Sequence, residues 1–148
     1  MLNRKPIYLR ILLLFVLVLF LLGCASRIHS LDSRVTPNIN LHEYNTFYVV
    51  QHAKDTRHLD EVIRDQMRGI GLKAESGPAG SKPPGMDVIV TYEDRWTWDV
   101  TMYLLSLSID LRDSRNDLLL ATGKSYRFSF ARKPPEFMAR EILEDIFK

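Results

Sequence analysis

Hydrophobic and polar positions follow three different patterns along this chain, and each predicts a different kind of element. Residues 101–112 alternate with period two: Thr101, Tyr103, Leu105, Leu107, Ile109 and Leu111 share one face, and Met102, Leu104, Ser106, Ser108 and Asp110 the other. A strand with one dry side has that pattern. Strand-like runs flank it at 87–95 and 118–130, and Asp113-Ser114-Arg115-Asn116-Asp117 supplies the turn chemistry that joins the last two into a hairpin. Gly123 in the final run reads as a bulge that resets the facing of Tyr126, Phe128 and Phe130. Near-3.6 spacing of Leu59, Val62, Ile63, Met67 and Ile70 predicts a helix over 57–70, with Asp55 or Thr56 as cap and Gly71 as a left-handed stop. A second helix over 136–147 opens on Pro134 and Pro135 and carries Phe137, Met138, Ile142, Leu143 and Ile146 as its apolar stripe. Before the first helix, β-branched and aromatic residues at 46–51 read as a buried strand, and 72–75 after it as a short edge strand. Three Gly and three Pro within 76–85 predict a mobile surface loop. The order β-α-β-β-β-β-α implies an α+β domain: a mostly antiparallel sheet of four to five strands with both helices on one face.

The third pattern has no period. Residues 11–22 are twelve uninterrupted apolar positions behind the positive residues Arg4, Lys5 and Arg10, and small residues Gly23, Cys24, Ala25 and Ser26 follow. Twelve are too few to span a bilayer, which takes roughly twenty, so cleavage of an export signal is preferred to a retained anchor. Leu21-Leu22-Gly23-Cys24 resembles the lipobox of bacterial lipoproteins, and Cys24 is the sole cysteine. The resemblance implies that the Cys24 thiol receives a diacylglyceryl group, that a signal peptidase cuts before it, and that the new amino terminus is acylated. It also implies an address. In that class an aspartate after the cysteine retains the protein in the inner membrane, so Ala25 points to the outer membrane, facing the periplasm. The expected organisation is a signal peptide over 1–23, a lipidated terminus and flexible tether over 24–43, and one α+β domain over 44–148. Residues 25–43 mix polar and apolar positions without period, and these nineteen at roughly 3.3 Å each could reach about 60 Å.

Removing the leader changes what composition says. The full chain carries 20 Lys and Arg against 18 Asp and Glu, but three of the basic residues lie in the leader, leaving 17 against 18, or −1. The basic balance belongs to export, and no Lys/Arg cluster elsewhere favours nucleic acid. With Cys24 committed to lipid no disulfide is available, so stability must come from packing a single core.

The mature domain also resembles a group of bacterial lipoproteins of unknown function, through Tyr44-Asn45-Thr46-Phe47, Gly71-Leu72, Asp87-Val88-Ile89-Val90-Thr91-Tyr92, Asp110-Leu111-Arg112-Asp113 and the internal Gly123. Ala121-Thr122 stand where an aromatic often precedes that glycine. The resemblance implies the fold and the location and brings no catalytic residues.

Chemistry-bearing clusters are few. His52, Asp55 and His58 offer two imidazoles and a carboxylate, but across a loop without fixed geometry, so no metal or cofactor is expected. Adjacent Glu93 and Asp94 point to opposite faces of a strand and cannot pair as acid and base. Ser106 and Ser108 lack a glycine elbow. Arg95-Trp96-Thr97-Trp98-Asp99 is different: Trp96 and Trp98 share a face, and with Arg95 they form a recognition surface if exposed, or a cap on the core if buried. The expectation is a non-enzymatic, lipid-anchored envelope protein that touches membrane lipid through Cys24 and binds an envelope protein or glycan, as an accessory to outer-membrane assembly or wall maintenance. A periplasmic carrier of small ligands or lipids, with an apolar cavity between sheet and helices, is the rival; an envelope hydrolase is a more distant one.

Overall fold

The computed structural model describes Ile11, Leu12 and residues 29–148; most of the expected leader, and Cys24, lie outside the described residues. Six strands form one mixed sheet: β1 (His29–Val35), β2 (Thr46–Val50), β3 (Lys73–Gly77), β4 (Val88–Asp99), β5 (Thr101–Asp113) and β6 (Leu119–Arg127), in spatial order β1-β6-β5-β4-β2-β3. Helices α1 (Leu59–Gly69) and α2 (Pro135–Ile146) pack on one face of it. The α+β class is as the sequence predicts. The strand count, order and directions are corrected.

One correction is β1. His29–Val35, read as tether, pairs antiparallel with β6 from His29↔Arg127 to Val35↔Ala121. The run carries only Leu31 and Val35 as apolar residues, too few for a visible alternation, and it is a strand because the β6 edge offers its backbone groups a partner. The second correction is direction. β2 runs parallel to both β3 and β4, while the pairs β4–β5, β5–β6 and β6–β1 are antiparallel. Helix α1 carries the chain from β2 back to a parallel β3, as crossovers do. The 78–87 segment then returns past β2 to β4. It folds over the opposite sheet face: the Tyr48 hydroxyl donates to Pro78 O at 2.9 Å, Thr46 Oγ1 donates to Gly85 O at 3.4 Å, and Tyr48 is left 2 % exposed. The Gly- and Pro-rich loop is thus a second crossover that covers a tyrosine.

Two irregularities decide which residues enter the core. Arg95 pairs with Ser106 and Trp96 with Leu104, so Leu105 is an extra residue in β5 and the facing of everything before it is inverted. Leu104 therefore joins Leu107, Ile109 and Leu111 in the core, where an unbroken alternation puts Tyr103 and Leu105. In β6 the extra residue is Leu120, between the pairs Leu111↔Ala121 and Arg112↔Leu119, which lets Leu120 and Ala121 both be buried. Gly123 is no bulge. A Cβ there would lie 2.6 Å from Ile142 Cγ2 and 3.0 Å from Ile146 Cδ1, so its missing side chain is what lets α2 approach the sheet.

Helix α1 starts at Leu59, after His58 in the left-handed conformation (φ 55°), and the Asp55 carboxylate accepts the Leu59 N–H at 2.7 Å. Gly71 (φ 91°) follows its end, as the stop signal predicts. Helix α2 buries Met138, Ala139, Ile142, Leu143 and Ile146, but Phe137 stays outside, flanked by the Arg127 guanidinium at 5.3 Å and Lys133 Nζ at 5.0 Å.

Candidate functional site

The β4–β5 hairpin is the longest in the sheet, and its outer part stands free of any other strand. β5 pairs with β6 only from Ser106 onward, and β4 pairs with β2 only over Val88–Val90. The residues singled out from the sequence sit on this projecting part, and the structure separates their roles. Arg95 is exposed. Trp96 is half-buried against the core, its indole N–H donating to Asp94 Oδ2 at 2.7 Å and its ring lying under the Arg57 guanidinium at 4.1 Å. A cation over an indole face and a charge-assisted hydrogen bond hold that ring in one orientation. Trp98 is 69 % exposed. Trp96 and Trp98 continue the core-facing positions Val88, Val90 and Tyr92 of β4, and the Leu105 bulge brings Leu104 and Met102 of β5 opposite them on that face.

Sequence reasoning missed the rest of this end. Val100 at the hairpin tip is 84 % exposed, Met102 48 %, Phe128 49 % and Phe130 93 %. β6 stops at Arg127, and Ser129–Ala131 form a 3-10 turn docked against the tip: the Ser129 hydroxyl donates to Asp99 Oδ2, and the Arg132 guanidinium donates to Thr101 Oγ1 at 2.7 Å and lies 3.8 Å from Asp99 Oδ2. Arg132 also stacks 4.9 Å over the Tyr103 ring. A groove of about 340 Å³ between hairpin and turn is lined by Trp96, Met102, Tyr103, Leu104 and residues 132–135. The available signal was Val100 itself, a β-branched residue between Asp99 and Thr101 where turn chemistry favours Asn or Gly.

The opposite sheet face carries polar pairs, Thr91 beside Asp110, Glu93 beside Ser108 and Arg95 beside Ser106. A groove of about 390 Å³ there is bounded by His52, Thr91, Tyr92, Glu93, Ser108, Asp110 and Thr122. The three groups considered as metal ligands have other work. Asp55 Oδ2 accepts from the Tyr92 hydroxyl at 2.6 Å as well as from Leu59 N–H, and His52 Nδ1 accepts from Lys54 N–H at 3.3 Å. His58 faces Glu61 at 3.6 Å. Burial disfavours the Asp55 charge, yet the Tyr92 hydroxyl and the N–H groups of Arg57, Leu59 and Asp60 outweigh it, so the carboxyl sits below its ordinary range. Tyr92 is pushed upward, by burial first and then by this hydrogen bond. Among the described residues no group of three or more His, Cys, Asp or Glu is placed to hold a metal ion, and no helix is long and apolar enough to cross a membrane.

No family model matches the chain, and no curated protein matches it. Solved structures do. A PelC dodecamer from Paraburkholderia phytofirmans superposes with TM-score 0.59 at 13 % identity, covering 77 % of this chain and 96 % of that one. A second PelC dodecamer from the same organism gives 0.58 at 10 % identity over 80 % and 97 %. A DUF4136 family protein from Bacteroides thetaiotaomicron gives 0.51 at 10 % identity over 82 % and 95 %. At these identities the likeness is one of fold alone.

Proposed function

We propose that this chain is a lipid-anchored envelope protein with a non-enzymatic role: acylated at Cys24 and facing the periplasm from the outer membrane, it binds an envelope protein or glycan as an accessory to outer-membrane assembly or wall maintenance. The observation that carries the binding role is Trp98. A large indole, 69 % exposed on a projecting hairpin whose base is fixed by the Arg57–Trp96–Asp94 contacts, is a rigid contact group that gains by being covered.

Photo-crosslinking in living cells tests it. A photoreactive residue at Trp98 is expected to give a discrete crosslinked product, and one at Leu118, exposed on the far turn of the sheet, is not. Equal capture at both positions, or none at Trp98, sinks the binding role. The PelC structures are dodecamers, so a second copy of this chain is one partner that the mass of the product identifies. The anchor has its own test. Cys24→Ser is expected to leave an uncut precursor without fatty-acid label, and a normally sized, labelled product refutes the assignment.

A further inference from the structure

Topology gathers the most exposed apolar side chains of the described residues at one end of the sheet. Trp98, Val100 and Phe130 are 69, 84 and 93 % exposed, and Met102 and Phe128 flank them at 48 and 49 %. The end is built to hold them outward. Ser129 and Arg132 tie the 3-10 turn carrying Phe130 to Asp99 and Thr101 of the hairpin, and Asp99 is thereby paired. Val100 adopts φ 59°, a region that β-branched residues rarely enter, and an apolar side chain at the most protruding position of a turn gains nothing from water. Backbone preference and hydration both favour Asn or Gly there, so a valine implies an apolar environment outside the domain.

The register shows where that environment lies. β1 begins at His29 opposite Arg127, and Tyr126 lies opposite Ser106, so the N-terminal end of β1 is level with about Leu105 of β5. The hairpin projects a further four residues in the same direction, about 14 Å at 3.4 Å per residue. Cys24 precedes His29 by five residues, which reach at most about 17 Å. A lipid on Cys24 can therefore reach the plane of the hairpin tip, where exposed Arg95 and Lys133 stand beside Asp94 and the paired Asp99 and Arg132. We propose that Trp98, Val100 and Phe130 enter the bilayer interface, as a second contact beside the acylated Cys24, and hold the domain with its helices and polar sheet face roughly perpendicular to the membrane. The inference rests on the proposed anchor for its plane, and it places the partner captured at Trp98 at the bilayer surface, beside the exposed Arg95. Interfacial tryptophan beside basic residues is the usual composition of such a contact.

The test uses the full chain purified from membranes with Trp96→Phe, which leaves Trp98 as the single tryptophan. It is reconstituted into phosphatidylethanolamine–phosphatidylglycerol vesicles with plain or brominated acyl chains, and the mass of the protein reports acylation. Trp98 is expected to lose most of its emission in brominated vesicles, and a control chain with Trp98→Phe and Leu118→Trp added is expected to lose none. If Trp98 is quenched no more than that control in an acylated chain, the tip contact is overturned and the anchor stands. If Trp98 is quenched in an unacylated chain, the anchor fails and the tip contact stands. A blue shift that follows protein concentration without vesicles assigns the tip to a second copy and overturns the lipid contact. A polarity-sensitive dye on Phe130→Cys gives the same readout with Trp96 intact.

Discussion

Gly123 shows how a single missing Cβ positions a helix. Gly123→Ala would place a methyl 2.6 Å from Ile142 Cγ2, on a β-branched side chain with little freedom to withdraw. Alanine gains roughly 0.5–1 kcal/mol over glycine in a strand interior, and overpacking costs roughly 1–3 kcal/mol, so a net loss of stability is expected. Denaturant unfolding checks the sign. Combining Gly123→Ala with Ile142→Ala is expected to cost less than the two changes summed, because the second removes the obstructing methyl; additive losses would mean that helix α2 does not rest on Gly123. The glycine itself was conspicuous in the sequence, but its reason was not, since the atoms it accommodates come from a helix nineteen positions later. Asp55 is the opposite case. A capping carboxylate acts on amides within four residues, and the chain displays both partners together, although the Tyr92 hydroxyl that it also receives is 37 positions away.

At the scale of elements, the strands and helices with strong periodicity were legible and the edges were not. β1 has no alternation to read, and its existence depends on the β6 edge; β3 and β4 are parallel to β2 because each connection is a crossover, and their order depends on which side of β2 each crossover lands. The hairpin tip escaped for a different reason: alternation predicts which face a residue takes, and Leu105 inverts that face midway along β5. Strain at the tip makes the hairpin testable as an element. A left-handed conformation costs a non-glycine residue about 1–2 kcal/mol, and asparagine tolerates it. Val100→Asn is therefore expected to raise thermal stability by about 1 kcal/mol while weakening the proposed membrane contact. An unchanged or lowered stability would show that Val100 is not strained. A stabilised chain that keeps full Trp98 quenching would show that the valine is not retained for lipid.

The molecule as a whole has two unlike poles. Opposite the apolar hairpin tip, where β2 and β4 begin and β5 ends, five of the residues quoted for the lipoprotein resemblance, Tyr44, Asn45, Thr46, Asp87 and Asp113, form a polar clasp with Arg115. Asp87 accepts the N–H groups of Asn45 and Thr46 at 2.9 and 3.0 Å and the Thr46 hydroxyl at 3.0 Å; Tyr44 donates to Asp113 at 3.5 Å, and Arg115 donates to Asp113 at 2.8 Å. Those motif residues fix chain ends. Their charge state makes the pole acid-sensitive. Hydrogen bonds from the Arg115 side chain, then from its backbone N–H, hold Asp113 down at about 2, and the Asn45 and Thr46 amides hold Asp87 below its ordinary range. A carboxyl that ionises more readily folded than unfolded adds stability that is complete above its unfolded value, about 3.9, and lost as pH falls toward the folded one. Tyr92, pushed up by burial and by Asp55, has the opposite sense: its contribution is complete below about 10 and is lost as pH rises further. The urea midpoint is therefore expected to stay flat from about pH 5 to 9 and to fall on both sides. Asp113→Asn is expected to lower the plateau and flatten the acid limb while leaving most of the alkaline limb, and Tyr92→Phe to shrink the alkaline limb, which Tyr44 and Tyr48, also pushed up by burial, share. A midpoint that rises on acidification below about 4 would mean that these carboxylates repel more than they are held, and the clasp would lose its standing as the tie between β2, β4 and β5.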